Sequence, residues 1–169
     1  FSSYAVADQR QLVDVSQAIE ASGYEIQKFK TPFFADDTVS VTDFDGNVFA
    51  FGLLGDDMSG KDELPGRLQH IVFATTQLTK QVSFFTDTIG FRKSDTVLDT
   101  ERDPTACFMR SDPEHHSLGL FRAPEARLDH FCFESKCWND IRDWGDHFSD
   151  RRIPIVWGAG RHGAGNNLF

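Results

Sequence analysis

Three stretches of this chain begin alike, and that recurrence constrains its fold more than any other feature. They are Tyr4-Ala5-Val6-Ala7-Asp8, His70-Ile71-Val72-Phe73-Ala74 and His130-Phe131-Cys132-Phe133-Glu134. Each reads as an apolar strand followed by a helix. The helical apolar positions are Leu12, Val15 and Ile19, then Val82, Phe85 and Ile89, then Trp138, Ile141, Trp144 and Phe148. Their three- and four-residue steps lay one stripe of each helix on a sheet. The starts lie 66 and then 60 residues apart, close enough for structural copies of one unit.

Further strands follow each helix. The first copy offers Thr38 to Asp43 and Asn47 to Leu53 around Asp45-Gly46, a strong hairpin signal. The second offers Phe91 to Leu98, Ala106 to Arg110 and His116 to Phe121. The third offers Ile153 to Trp157, then a glycine-rich run from Gly158 to Gly165, and stops at Phe169. The unit is therefore strand-helix-strand-strand-strand, an α+β arrangement, and the third copy lacks its last strand or two. Leu54 to Gly66 is poor in apolar residues and reads as a linker between two domains.

Composition narrows the function. A net charge of −9 and no basic stretch argue against nucleic acid, because nothing would neutralise phosphates. The apolar runs are too short for a membrane span, and no secretory signal is present. Cys107, Cys132 and Cys137 follow no zinc or disulfide spacing and fit reduced thiols in a cytoplasm, buried as small apolar groups. Phe84, Phe85, Trp138 and Trp144 stand at core spacing, and strand alternation turns Phe131 and Phe133 away from His130.

The histidines carry the chemistry. His70 and His130 hold the same place in two copies, where a polar imidazole interrupts an apolar strand. Two histidines and one carboxylate form the facial triad of non-haem Fe(II) oxygenases. The alternative is a pair of hydrogen-bonded core histidines. His116 is a candidate acid/base, since imidazole titrates near neutrality; strand alternation would turn His115 the other way. The alternative is that both lie on the surface beside Glu114. His162 stands in the glycine-rich run, which lacks the Lys-Ser/Thr ending of a phosphate loop.

A set of landmarks recurs in order: Leu68-Gln69-His70, Phe84 to Arg92, His115-His116-Ser117-Leu118-Gly119-Leu120, Leu128-Asp129-His130-Phe131 and Gly158-Ala159-Gly160-Arg161-His162. Together they resemble the vicinal-oxygen-chelate superfamily (glyoxalase and bleomycin-resistance proteins), and within it the type I extradiol ring-cleaving dioxygenases. The resemblance implies repeated βαβββ modules whose mixed sheets curl round a metal site. It implies that residues 1–64 are the second module of a metal-free amino-terminal domain whose first module is absent. Residues 67–169 would be two modules of the metal-binding domain, with the last strands absent. His70 and His130 would hold Fe(II), occasionally Mn(II), with a Glu expected beyond Phe169. In the first copy Tyr4 and Ala50 stand where that His and Glu would be.

The resemblance further implies that His116 faces inward as the acid/base and that His162 hydrogen-bonds substrate. The substrates would be a catechol and O2, in aromatic-compound degradation, and the assembly a homo-oligomer. Two other activities share the fold: a glyoxalase-type isomerase or thiol transferase, and a non-catalytic binding protein of the bleomycin-resistance kind.

Overall fold

The computed structural model describes residues 1–35, 37–55, 64, 66–155 and 159–161. Two sheets carry the repeat. The first holds β1 (Ser2–Ala5), β2 (Ile26–Lys28), β3 (Val39–Thr42) and β4 (Val48–Gly52) in the order β1-β4-β3-β2. The second holds β5 (Arg67–Thr75), β6 (Arg92–Leu98), β7 (Pro104–Arg110), β8 (Leu118–Arg122) and β9 (Arg127–Glu134) in the order β6-β7-β8-β5-β9. In both, the opening strand runs parallel to the last strand of its unit, and the remaining pairs are antiparallel. The copies are thus topologically the same, and β9, opening the third, adds antiparallel to β5.

Local chemistry sets the element ends. Helix α1 (Gln9–Ala21) starts where the Asp8 carboxylate accepts from the Gln11 backbone N–H at 2.8 Å. The hairpin between β3 and β4 turns at Gly46, whose φ of +83° suits glycine. There Asp43 Oδ1 accepts from the backbone N–H groups of Asp45 and Asn47. The same turn grips the second unit: Gln81 Nε2 donates to Asp43 Oδ2, and the Thr75 hydroxyl donates to Asp45 Oδ2.

The two units share one aromatic interior. Phe49 of β4 meets Phe73, Phe84 and Phe85, Phe85 meets Phe91, and all are buried in one cluster with Phe51. Tyr4 packs there too, stacked on Phe51 with centroids 5.7 Å apart. Its hydroxyl is buried without a hydrogen-bond partner, and burial pushes its phenol well above the usual range. A raised folded-state value means stability held below the phenol's unfolded value and lost as pH rises past it, about pH 10. Tyr4→Phe should therefore stabilise the protein by about 1–2 kcal/mol in urea unfolding and lessen the alkaline loss. An unchanged or lowered midpoint would contradict that expectation.

Several expectations need correction. The second helix is α2 (Leu78–Ser83) followed by a π-helical turn at Phe84–Ile89. Adjacent residues on an α-helix face different ways, yet Phe84 and Phe85 are both buried, and the wider turn coincides with this pair. Strand β8 begins at Leu118, so His116 precedes it instead of lying on it. Ile153 to Ile155 is not a strand; Val156 and Trp157 lie outside the described residues. Helix α3 (Trp138–Asp150) has no buried residue, and Trp138 is exposed. Ile141, Trp144 and Phe148 of its apolar stripe are half-buried, and Trp144 lies beside Gly66. Cys107 is buried as expected, Cys132 is half-buried and Cys137 is exposed, helping to cap α3. No helix is long and apolar enough to cross a membrane among the described residues.

Candidate metal centre and active site

Strand pairing decides which side chains meet. His70 lies opposite Cys132, and Val72 opposite His130. Directly opposed residues share a face, so His70 and His130 lie diagonally on one face of the β5–β9 pair. Ile71 with Phe131, and Leu68 with Phe133, occupy the other. Phe131 and Phe133 do turn away from His130, but both are exposed.

The rings of His70 and His130 have centroids 5.5 Å apart and are nearly perpendicular, at 80°. Metal–nitrogen bonds of about 2 Å place two ligating imidazole centroids about 4.5–5.5 Å apart, so this pair fits one ion. Each ring has Nδ1 engaged by the residue before it. His130 Nδ1 is 2.8 Å from Asp129 Oδ2, and His70 Nδ1 meets Gln69 Oε1. A metal would accordingly be met through Nε2, the arrangement usual for ligating histidines. No group of three or more His, Cys, Asp or Glu is poised for a metal among the described residues. Among the described residues the candidate ligands that come together are therefore the two histidines.

His116 joins the pair. Its ring is 4.6 Å from that of His70 and 4.8 Å from that of Phe108. It is 1% exposed and His70 is 2%, whereas the His130 side chain is 43% exposed, so the cluster opens toward β9. His115 does not point oppositely: its Nδ1 is 3.0 Å from His116 Nδ1. Both residues precede β8, so strand alternation does not set their directions. His115 is nonetheless only half-buried, so the two rings lead from the buried cluster toward solvent. His162 lies outside the described residues.

Sequence reasoning passed over a polar group that supports the cluster. Arg67 Nη2 binds Glu114 Oε1 at 2.5 Å and Glu134 Oε2 at 2.6 Å. Gln69 Nε2 donates to Glu114 Oε2 at 3.1 Å and to the His116 carbonyl at 2.7 Å. The Arg67–Glu134 partnership follows from their cross-strand register, which a single sequence does not display. Burial pushes the thiols of Cys107 and Cys132 up, which disfavours the nucleophilic thiolate at these two positions.

The chain thus pairs two units of one topology and sets histidines from successive units on a shared face. A family model described as the Glyoxalase/Bleomycin resistance protein/Dioxygenase superfamily matches residues 67–169, and the chain belongs to that superfamily. It is 26% identical over 108 residues to metapyrocatechase 2 of Cupriavidus necator, covering 63% of this chain and 32% of that protein. It is 31% identical over 90 residues to a manganese-dependent 2,3-dihydroxybiphenyl 1,2-dioxygenase of Geobacillus genomosp. 3, covering 52% of this chain and 27% of that one. Among solved structures, the Mn(II)-bound glyoxalase from Novosphingobium aromaticivorans is 26% identical, with a TM-score of 0.78 over 99% of this chain and 56% of that chain. The chain thus spans about a third or less of the curated relatives it matches.

Proposed function

We propose that the protein containing this chain is an extradiol dioxygenase, in which His70 and His130 hold an Fe(II) or Mn(II) ion. It cleaves a catechol ring beside its two hydroxyl groups. One ring C–C bond breaks, and both atoms of O2 enter the product, so no further reductant is needed. The observation that carries this is the convergence of two repeat-related imidazoles, each with Nδ1 on an acceptor. Relatives named as a metapyrocatechase and a dihydroxybiphenyl dioxygenase support the reaction class.

When bound, the metal would supply a common site for two vicinal phenolic oxygens and O2, and would ease loss of the phenolic protons. The protein's own groups do the rest. Gln69 and Asp129 orient the two ligand rings. Phe108 packs against His116 and limits its freedom. His116 is assigned the proton traffic. Its Nδ1 faces that of His115, and such a hydrogen bond places one proton between the two nitrogens. A proton taken up in the cluster can then leave through half-buried His115. His162 is assigned a hydrogen bond to substrate on the sequence resemblance alone. Residues 67–169 are read as the metal-binding domain and 1–64 as part of the metal-free one.

The test is to load the intact protein with Fe(II) or Mn(II) without oxygen, then add catechols in air. The expected result is a yellow ring-fission product with one O2 consumed per catechol. No product across a panel of catechols would overturn the proposal. The likeness to a Mn(II)-bound glyoxalase favours one rival, an isomerase. That activity consumes no O2, so an oxygen electrode separates the two.

His116→Phe is expected to lower kcat by about 10²–10⁴-fold, with little change in KM or metal content. Wild-type turnover in that variant would reduce His116 to a packing residue.

A further inference from the structure

Both candidate ligands are preceded by a break in strand register. On β5 the pairing jumps from Leu68 opposite Phe133 to His70 opposite Cys132, leaving Gln69 as the extra residue. On β9 it jumps from Val72 opposite His130 to Phe73 opposite Leu128, leaving Asp129 as the extra residue. A bulge bends the strand and re-aims a side chain. In a regular strand, Gln69 and Asp129 would project away from the histidine that follows. Here each carries its oxygen onto that histidine's Nδ1.

The direction of both hydrogen bonds can be assigned. Asp129 is a carboxylate and only accepts, so His130 Nδ1 donates. Gln69 offers either an oxygen or an amide nitrogen, and its surroundings choose. Its Nε2 has two acceptors, Glu114 Oε2 at 3.1 Å and the His116 carbonyl at 2.7 Å. Reversing the amide would set its oxygen against both. The oxygen therefore faces His70, whose Nδ1 must donate.

We propose that the paired bulges at Gln69 and Asp129 are positioning devices that fix the Nδ1–H tautomer of His70 and His130, presenting Nε2 of both rings to the metal. This rests on the proposed metal site. The two units do it with different chemistry: a neutral amide on the buried His70, and a carboxylate on the more exposed His130. The carboxylate raises the donor strength of its ring; the amide does so less. A bound ion would thus meet one stronger and one weaker imidazole donor. The Gln69 amide also ties the His70 ligand to the backbone of His116, so ligand and proton carrier are held by one side chain.

The experiment uses ring-15N histidine in the metal-free intact protein, at a pH where imidazole is neutral. Long-range 15N–1H spectra report which nitrogen holds the proton, independently of activity. The wild type should show Nδ1–H at both positions. Asp129→Leu should shift the proton of His130 toward Nε2 and leave His70 unchanged; Asp129→Asn, still an acceptor, should restore Nδ1–H. Gln69→Met should shift His70 alone. Metal titration of the same variants should show affinity falling about 10–100-fold for Asp129→Leu, with most of it recovered in Asp129→Asn. Side chains that merely stabilised the strands would leave the proton in place. Nε2–H in the wild type, or an unmoved proton in Asp129→Leu and Gln69→Met, would overturn the proposal. Failure of the metal site itself reads differently: the ring protons would respond as expected while metal affinity stayed constant in every variant, and that outcome overturns the role toward the ion.

Discussion

His130→Ala should abolish stoichiometric metal binding by the intact protein. His130 is the candidate ligand to remove first, because its side chain is 43% exposed and its loss leaves no large cavity. The drop in affinity should exceed the roughly 10–100-fold typical of groups that only support a ligand. His70→Ala should do the same, but with a structural cost. His70 is 2% exposed, and its removal strips the Gln69 oxygen of its donor. Metal content after gel filtration, read beside circular dichroism, separates lost ligation from lost fold. Wild-type metal affinity in His130→Ala would sink the assignment of this ring as a ligand. Ring-cleaving activity should fall in parallel with metal content in both variants, since both defects act at one centre.

Phe85→Ala should destabilise the protein by about 3–5 kcal/mol, the range for a buried aromatic reduced to alanine. Phe85 is fully buried and packs edge-on against Phe49, Phe84 and Phe91, at centroid distances of 5.2, 5.3 and 5.5 Å. Phe49 belongs to the first unit and the others to the second, so the variant loosens the contact between units as well as one interior. The loss is a large fraction of the 5–15 kcal/mol that holds a typical domain together. The denaturant midpoint is the measurement. A shift below about 1 kcal/mol would show that the interior can close over the cavity. The effect should spare the histidines' local geometry until unfolding begins, because they sit on the opposite face of β5 from Phe73 and that interior.

The repeated unit was legible in the chain because periodicity survives without tertiary context. Strand and helix stripes follow from the residue steps, and the same order of strands in both sheets bears out the unit. The hairpin at Asp45-Gly46 was legible for a local reason, a glycine able to take positive φ. Strand ends were less so. His116 precedes β8, and its partnership with His115 runs through Nδ1 on one side, where alternation had set the two apart. Trp138 matched a helical stripe yet is exposed, since periodicity shows which face is apolar and not what covers it.

His70 and His130 could be paired from sequence because repetition marks equivalent positions, and the superfamily follows from the same landmarks. Their distance, their shared face and the acceptors on Nδ1 belong to the tertiary structure alone. A one-residue shift in register reverses the face of a side chain, and two such shifts, at Gln69 and Asp129, place the supporting oxygens. Bulges depend on the pairing of strands distant in sequence, which local composition does not encode. The chain by itself thus determined the repeated architecture and the two histidines that mark a candidate metal site. Only the folded sheet, through register, decided that Nδ1 of each ring is the atom taken by a neighbouring oxygen.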